Sequence, residues 1–130
     1  MQTPAPEIEY PCPCCGYLSF DEPPGSDDIC GVCFWQDDMV QLRLPLTGGG
    51  ANDLSLFEAQ ANYEVHGAIE RRFVQHVRPP TDTDARDPLW RPLDLNRDSV
   101  EGPGPDVGAT WPADRTVLYY WRPTYWRRAP

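Results

Sequence analysis

Lysine is absent from this chain; all eleven basic residues are arginine. The run Gly48-Gly49-Gly50 therefore lacks the lysine and hydroxyl residue of a phosphate-cradling loop and reads as a flexible connector. The arginine-only usage points to GC-rich coding and carries no mechanism. Long apolar runs are absent too, which excludes a membrane-spanning helix and a membrane partner. Met1–Tyr10 is polar and acidic and does not read as a secretion signal, so a reducing cytoplasm is the expected compartment. Histidine is scarce. His66 and His76 lie ten apart, not at the i, i+4 spacing of a helix-borne zinc pair, and a surface or helix-end role is expected. No nucleophile, base and orienting acid can be named together, so no catalytic residue is assigned and no enzyme is expected.

What the chain does have is acid, proline and cysteine. Twenty acidic residues against eleven arginines give a net charge of −9. A divalent ion on four thiolates would take it to about −11. Such a surface repels nucleic acid and anionic membrane. The distribution is uneven: residues 1–60 hold ten acids and one arginine, and 115–130 hold four arginines and no acid. Sixteen prolines and ten glycines predict short elements and much irregular chain in one domain of 130 residues.

Four of the five cysteines form two C-x-x-C pairs, Cys12/Cys15 and Cys30/Cys33, with fourteen residues between them. That gap sits just under the usual ribbon spacing of about 15–20. Each C-x-x-C aims two sulfurs at one point, so the pairs together predict a tetrahedral four-thiolate site holding one zinc ion. Pro13 stiffens the first turn, Gly16 lets the chain leave in a conformation a side chain would block, and Gly31 gives the second turn similar freedom. Tyr17, Phe20, Phe34 and Trp35 flank the pairs and could shield the ion. Two disulfides fit an odd cysteine count poorly, and redox C-x-x-C pairs usually occur singly. Iron remains compatible, because the C-P-x-C-G turn also resembles rubredoxin knuckles and four thiolates do not choose between the metals. Cys14 is not needed by this logic; its thiol is either inert filler or a redox or ligand-exchange group.

Along the chain, Ile8 and Tyr10 could enter the first knuckle as a short strand, and Tyr17–Phe20 suits a strand leaving it. Asp21–Ser26 is a turn. A hairpin with so little apolar content should fold only with its metal. Asp37 and Asp38 read as a turn or cap, and Val40, Leu42, Leu44 and Leu46 alternate as in a half-buried strand. Ser55-Leu56-Phe57-Glu58 is a capping box that predicts a helix from Leu56 to about His66, ended by Gly67, with Leu56, Phe57, Ala59, Ala61 and Tyr63 inward. A second helical piece is expected over Ile69–Val77. Residues 78–112 read as an extended wrap anchored at Leu89, Trp90, Leu93, Leu95 and Val107, with 101–105 its most flexible point. Thr116–Arg122 has the composition of a strand. Its aromatics and arginines could stack on bases, but an arm folding back to complete the core is favoured.

Cys12-Pro13-Cys14-Cys15-Gly16-Tyr17, Cys30-Gly31-Val32-Cys33-Phe34-Trp35 with Asp37-Asp38, and Gly50-Ala51-Asn52 leading to Ser55-Leu56 and Glu58-Ala59 together resemble the bacterial cysteine-rich CPCC family over about residues 10–77. Leu118–Pro123 resembles the tail of longer, actinobacterial-type members. The resemblance implies a small bacterial metal-binding protein and no biochemical activity to carry over. Gly31 departs from it, standing where proline is expected; the stiffness of that turn is affected and the sulfurs are not.

The expected fold is α+β: a small zinc-ribbon or rubredoxin-like hairpin over 1–78, packed against one or two short helices. A Pro-rich wrap and a C-terminal aromatic strand over 79–130 close on the same domain. The expected function is a non-catalytic zinc module, metal on Cys12, Cys15, Cys30 and Cys33, presenting a surface to a protein partner. The alternatives are a redox protein (an iron carrier or a Cys14 thiol switch) and nucleic-acid binding through Arg115–Pro130.

Overall fold

Among the described residues one sustained helix forms, and it begins where its local chemistry dictates. In the computed structural model, which describes residues 9–101 and 110–127, α2 runs Leu56–His66. Ser55 Oγ accepts from the Glu58 N–H at 3.1 Å while Glu58 Oε1 accepts from the Ser55 N–H at 3.2 Å, so two orphan donors of the first turn are satisfied reciprocally. Gly67, at φ 81°, ends the helix in the left-handed conformation, its N–H bonded to Tyr63 O. Leu56 and Ala59 are buried as the pattern requires, with Phe57 and Tyr63 half-buried. Ala61 is exposed, and Gln60 takes the inward place.

The stretch read as a strand over Val40–Leu46 is instead a short helix, α1, Met39–Arg43. Asp38 caps it, Oδ1 accepting from the N–H groups of Val40 and Gln41 at 2.8 and 3.1 Å. The alternation misleads because both parities are buried: Gln41 and Arg43 go inside with Leu42 and Leu44, while Val40 and Leu46 face water. The Gln41 amide donates to the carbonyls of Thr47, Asn52 and Leu54, which pins the glycine-rich connector against α1. Arg43 is 3% exposed. Its guanidinium makes a two-pronged bond to Glu101, at 2.8 and 3.2 Å, and lies 4.5 Å from the Trp111 ring and 4.8 Å from that of Trp126.

Of the second helical piece, Arg71–His76 forms a 3₁₀ helix, with Ile69 buried before it and Phe73 half-buried within it. The C-terminal strand does not form. Arg115–Leu118 is a 3₁₀ turn capped by Asp114, whose Oδ1 accepts from the Thr116 N–H at 3.0 Å, and turns follow. Leu118, Tyr119, Tyr120 and Trp121 are buried in succession, so burial on every side, and not pairing on one face, explains their strand-like composition. Among the described residues there is no extended ladder; three isolated antiparallel bridges remain, Tyr10 to Phe20, Tyr17 to Arg86 and Ile29 to Gln36.

One core gathers the five cysteines, Phe20, Trp35, Leu56 and Ile69 with the tail residues Leu118–Trp121 and Tyr125. The tail therefore folds back onto the cysteine-bearing half. Of the expected anchors, Leu93 is buried and Trp90 half-buried, whereas Leu89 and Leu95 are exposed. Ile8, Val107 and positions 102–105 lie outside the described residues. No described helix is long and apolar enough to cross a membrane.

Candidate metal centre

Each C-x-x-C pair sits in a tight loop closed by two backbone bonds. In the first, Gly16 N–H donates to Cys12 O at 2.7 Å and Cys12 N–H to Tyr17 O at 2.8 Å. In the second, Phe34 N–H donates to Cys30 O at 2.9 Å and Cys30 N–H to Trp35 O at 2.8 Å. The loops face each other, and the sulfurs of Cys12, Cys15, Cys30 and Cys33 all lie within 4.8 Å of one another, buried. Cys12 and Cys33 sulfurs are 3.5 Å apart and Cys15 and Cys30 sulfurs 3.8 Å. A tetrahedron of sulfurs about 2.3 Å from a central ion has edges of about 3.8 Å, so these separations suit one tetrahedral metal ion. They are too long for a disulfide bond of about 2.05 Å, and all five cysteines are free thiols.

Hydrogen-bond donors point at two of the sulfurs while burial works against their charge. Val32 N–H and Ser19 Oγ–H donate to Cys30 Sγ at 3.4 and 3.1 Å, and Trp35 N–H to Cys33 Sγ at 3.5 Å. Burial pushes the Cys12 and Cys33 thiols well up, while the Cys12, Cys15 and Cys33 thiols around Cys30 hold it far down. Burial thus opposes charging these sulfurs together. A divalent cation at the centre reverses that logic and makes four thiolates affordable in a dry site. The donor set fits zinc or iron.

Gly16 is needed where it stands. Its φ is +80°, and a Cβ there would meet the Trp90 ring at 2.5 Å. Gly31 has open space around it and no left-handed backbone, so the freedom expected of it goes unused; the left-handed residue of the second loop is Phe34, at φ 76°. Cys14 is fully buried beside the four without joining them, and burial raises its thiol. His66 and His76 are exposed and stand apart from the sulfurs, His76 stacking on Phe34 at 5.5 Å.

Several residues that encase the loops have no local signal in the sequence. Pro13 O accepts from Gln60 Nε2 at 3.0 Å and Trp90 Nε1 at 2.9 Å, and Cys15 O accepts from Arg86 Nε at 2.9 Å. Asp87 donates its N–H to Gly16 O at 2.9 Å, and its carboxylate takes the Trp121 indole N–H and the Arg122 guanidinium, both at 3.0 Å. Burial pushes the Asp87 carboxyl up, but the Trp121, Leu89 and Arg122 donors outweigh it and leave it below the usual range. On the second loop, Cys33 O accepts from Ile69 N–H at 2.9 Å and Gly31 O from Arg78 N–H at 3.1 Å. The hairpin between the loops also brings the exposed Asp21, Glu22 and Asp28 together, a trio concealed by reading Asp21–Ser26 only as a turn.

No curated protein matches this chain. The sequence model of the family described as Cysteine-rich CPCC matches residues 10–84, which takes in both loops, α1, α2 and the 3₁₀ helix after it. With more than half of its length matched and both cysteine pairs inside that match, the chain belongs to the cysteine-rich CPCC family.

Proposed function

We propose that this chain is a non-catalytic structural-zinc module whose metal-tied surface serves a protein partner. The observation that carries the reading is the buried group of four sulfurs, all within 4.8 Å. Four protein thiolates close the coordination sphere of a tetrahedral ion and leave no position for water or substrate, which is the arrangement of a structural site. All four cysteines are 0% exposed. That burial suits a fold-holding ion better than an electron carrier, whose metal needs a short path to its partner. The aromatic tail supports a protein over a nucleic-acid partner, because Tyr119, Tyr120, Trp121 and Tyr125 spend their faces in the core.

Metal analysis with an absorption spectrum tests this. One zinc per chain and a colourless protein are expected; stoichiometric iron with visible thiolate-to-iron bands would replace the module with the redox reading. Cys14→Ser should leave zinc content unchanged. A lowered stoichiometry would make Cys14 a ligand.

A further inference from the structure

Two shallow cavities meet at Ile29, the residue before Cys30. One, of about 200 Å³, runs between Phe34, Ile69 and Phe73. The other, of about 350 Å³, runs past Leu18, Phe20 and Asp28. Ile29 stands between them 50% exposed, although Phe20 and Cys30 are buried. Its rim is acidic. Asp21, Glu22 and Asp28 bring carboxylate oxygens within 4.8 Å of one another, and no arginine among the described residues pairs with any of them.

The backbone here is held in an uncommon shape. Asp27, at φ 65°, and Phe34, at φ 76°, bracket this segment and are the non-glycine residues with positive φ among those described. Each is fixed by a backbone bond, Asp27 N–H to Asp37 O at 3.1 Å and Phe34 N–H to Cys30 O at 2.9 Å. These bonds hold the segment that presents Ile29 in one shape. Three converging carboxylates without a cation repel one another, and a cationic side chain would relieve that repulsion. The same acidity argues against a second copy of this chain, at net charge −9, and against nucleic acid.

We propose that the Ile29 face docks a basic peptide segment carrying one aliphatic or aromatic anchor. Its arginine or lysine side chains lie against Asp21, Glu22 and Asp28, and the anchor sits beside Ile29 in the cavity that Phe34, Ile69 and Phe73 line. This rests on the protein-interaction reading above and gives the partner a chemistry.

Random short peptides displayed on phage, selected against the full zinc-loaded chain, provide the probe. The expected winners are rich in lysine and arginine around a single large apolar residue. As synthetic peptides they should lose roughly tenfold in affinity to Ile29→Ser, and as much to the triple variant Asp21→Asn, Glu22→Gln, Asp28→Asn. Zinc content and far-UV circular dichroism should match wild type in both, since these side chains are solvent-facing. Winners without basic enrichment, or binding that survives both variants, would overturn the proposal. If such binding still disappears in Cys30→Ser, the metal-dependent interaction reading stands and only this face is lost. Selection that yields no specific binder overturns both.

Discussion

The two cysteine loops follow one backbone plan and differ in what covers them. Each ends on a left-handed residue whose N–H closes the loop, at φ 80° in Gly16 and 76° in Phe34. In the first loop the Trp90 indole lies where a side chain would go, so only glycine fits. In the second the same position carries a benzyl group, packed on Phe73 with ring centroids 4.5 Å apart and on His76. The turn itself therefore accepts a side chain at the cost of some strain, and at Gly16 the tryptophan adds a collision to that strain. Distance along the chain differs as well. The second loop is covered from residues 69–78, inside the family match, whereas the first, Gln60 apart, is covered by Ala85, Arg86, Asp87 and Trp90, just beyond its end at residue 84.

The largest effect should not distinguish the loops. Cys12→Ser and Cys30→Ser each remove one of four sulfurs, and both should abolish metal binding and the near-UV circular dichroism of packed aromatics, as should stripping wild type with a strong chelator. A folded, metal-free Cys12→Ser protein would break the equivalence. Gly16→Ala comes next. Its Cβ is strained and collides with Trp90, so metal-loaded protein should lose about 2–4 kcal/mol in urea unfolding. Adding Trp90→Ala should recover part of the loss by opening the space.

Asp87 sharpens the contrast in cover. Its carboxyl is held below the ordinary aspartate range, so its contribution is complete above about pH 4 and fades as pH falls through its folded value. Asp87→Asn should be less stable than wild type by about 1–2 kcal/mol at neutral pH. Paired unfolding curves should then converge below about pH 4. A gap that persists at low pH would mean the carboxylate's charge is irrelevant. Phe34→Gly should have the smallest effect: relief of about 1 kcal/mol of backbone strain offsets much of the lost ring packing. Its urea midpoint should stay near wild type, where Gly16→Ala moves far.

Local chemistry was readable in the sequence and distant cover was not. The Ser55–Glu58 box, the Gly67 stop and the left-handed Gly16 each depend on neighbours a few residues away, and each stands where residue type alone places it. The four cysteines converge because two short loops suffice to aim them. Trp90 reaches Pro13 across 77 positions, and nothing near either residue announces the pairing. The tail and α1 were misread for one shared reason. Where Leu118–Trp121 or Gln41–Leu44 is enclosed on every side, composition and alternation report burial, and the backbone is free to coil.

Arg43 gives the missing lysines a second meaning. A guanidinium is flat on both faces and forked at its edge, so it can fill a slot between two indoles and still grip both oxygens of one carboxylate. An ammonium offers a knob where this slot requires a blade; Glu101 and Trp126 would keep only Arg127 of the described arginines, and the Trp111 ring would lose the flat cation stacked on it. At this position the chain's preference for arginine is a matter of shape, whatever its codons favour elsewhere.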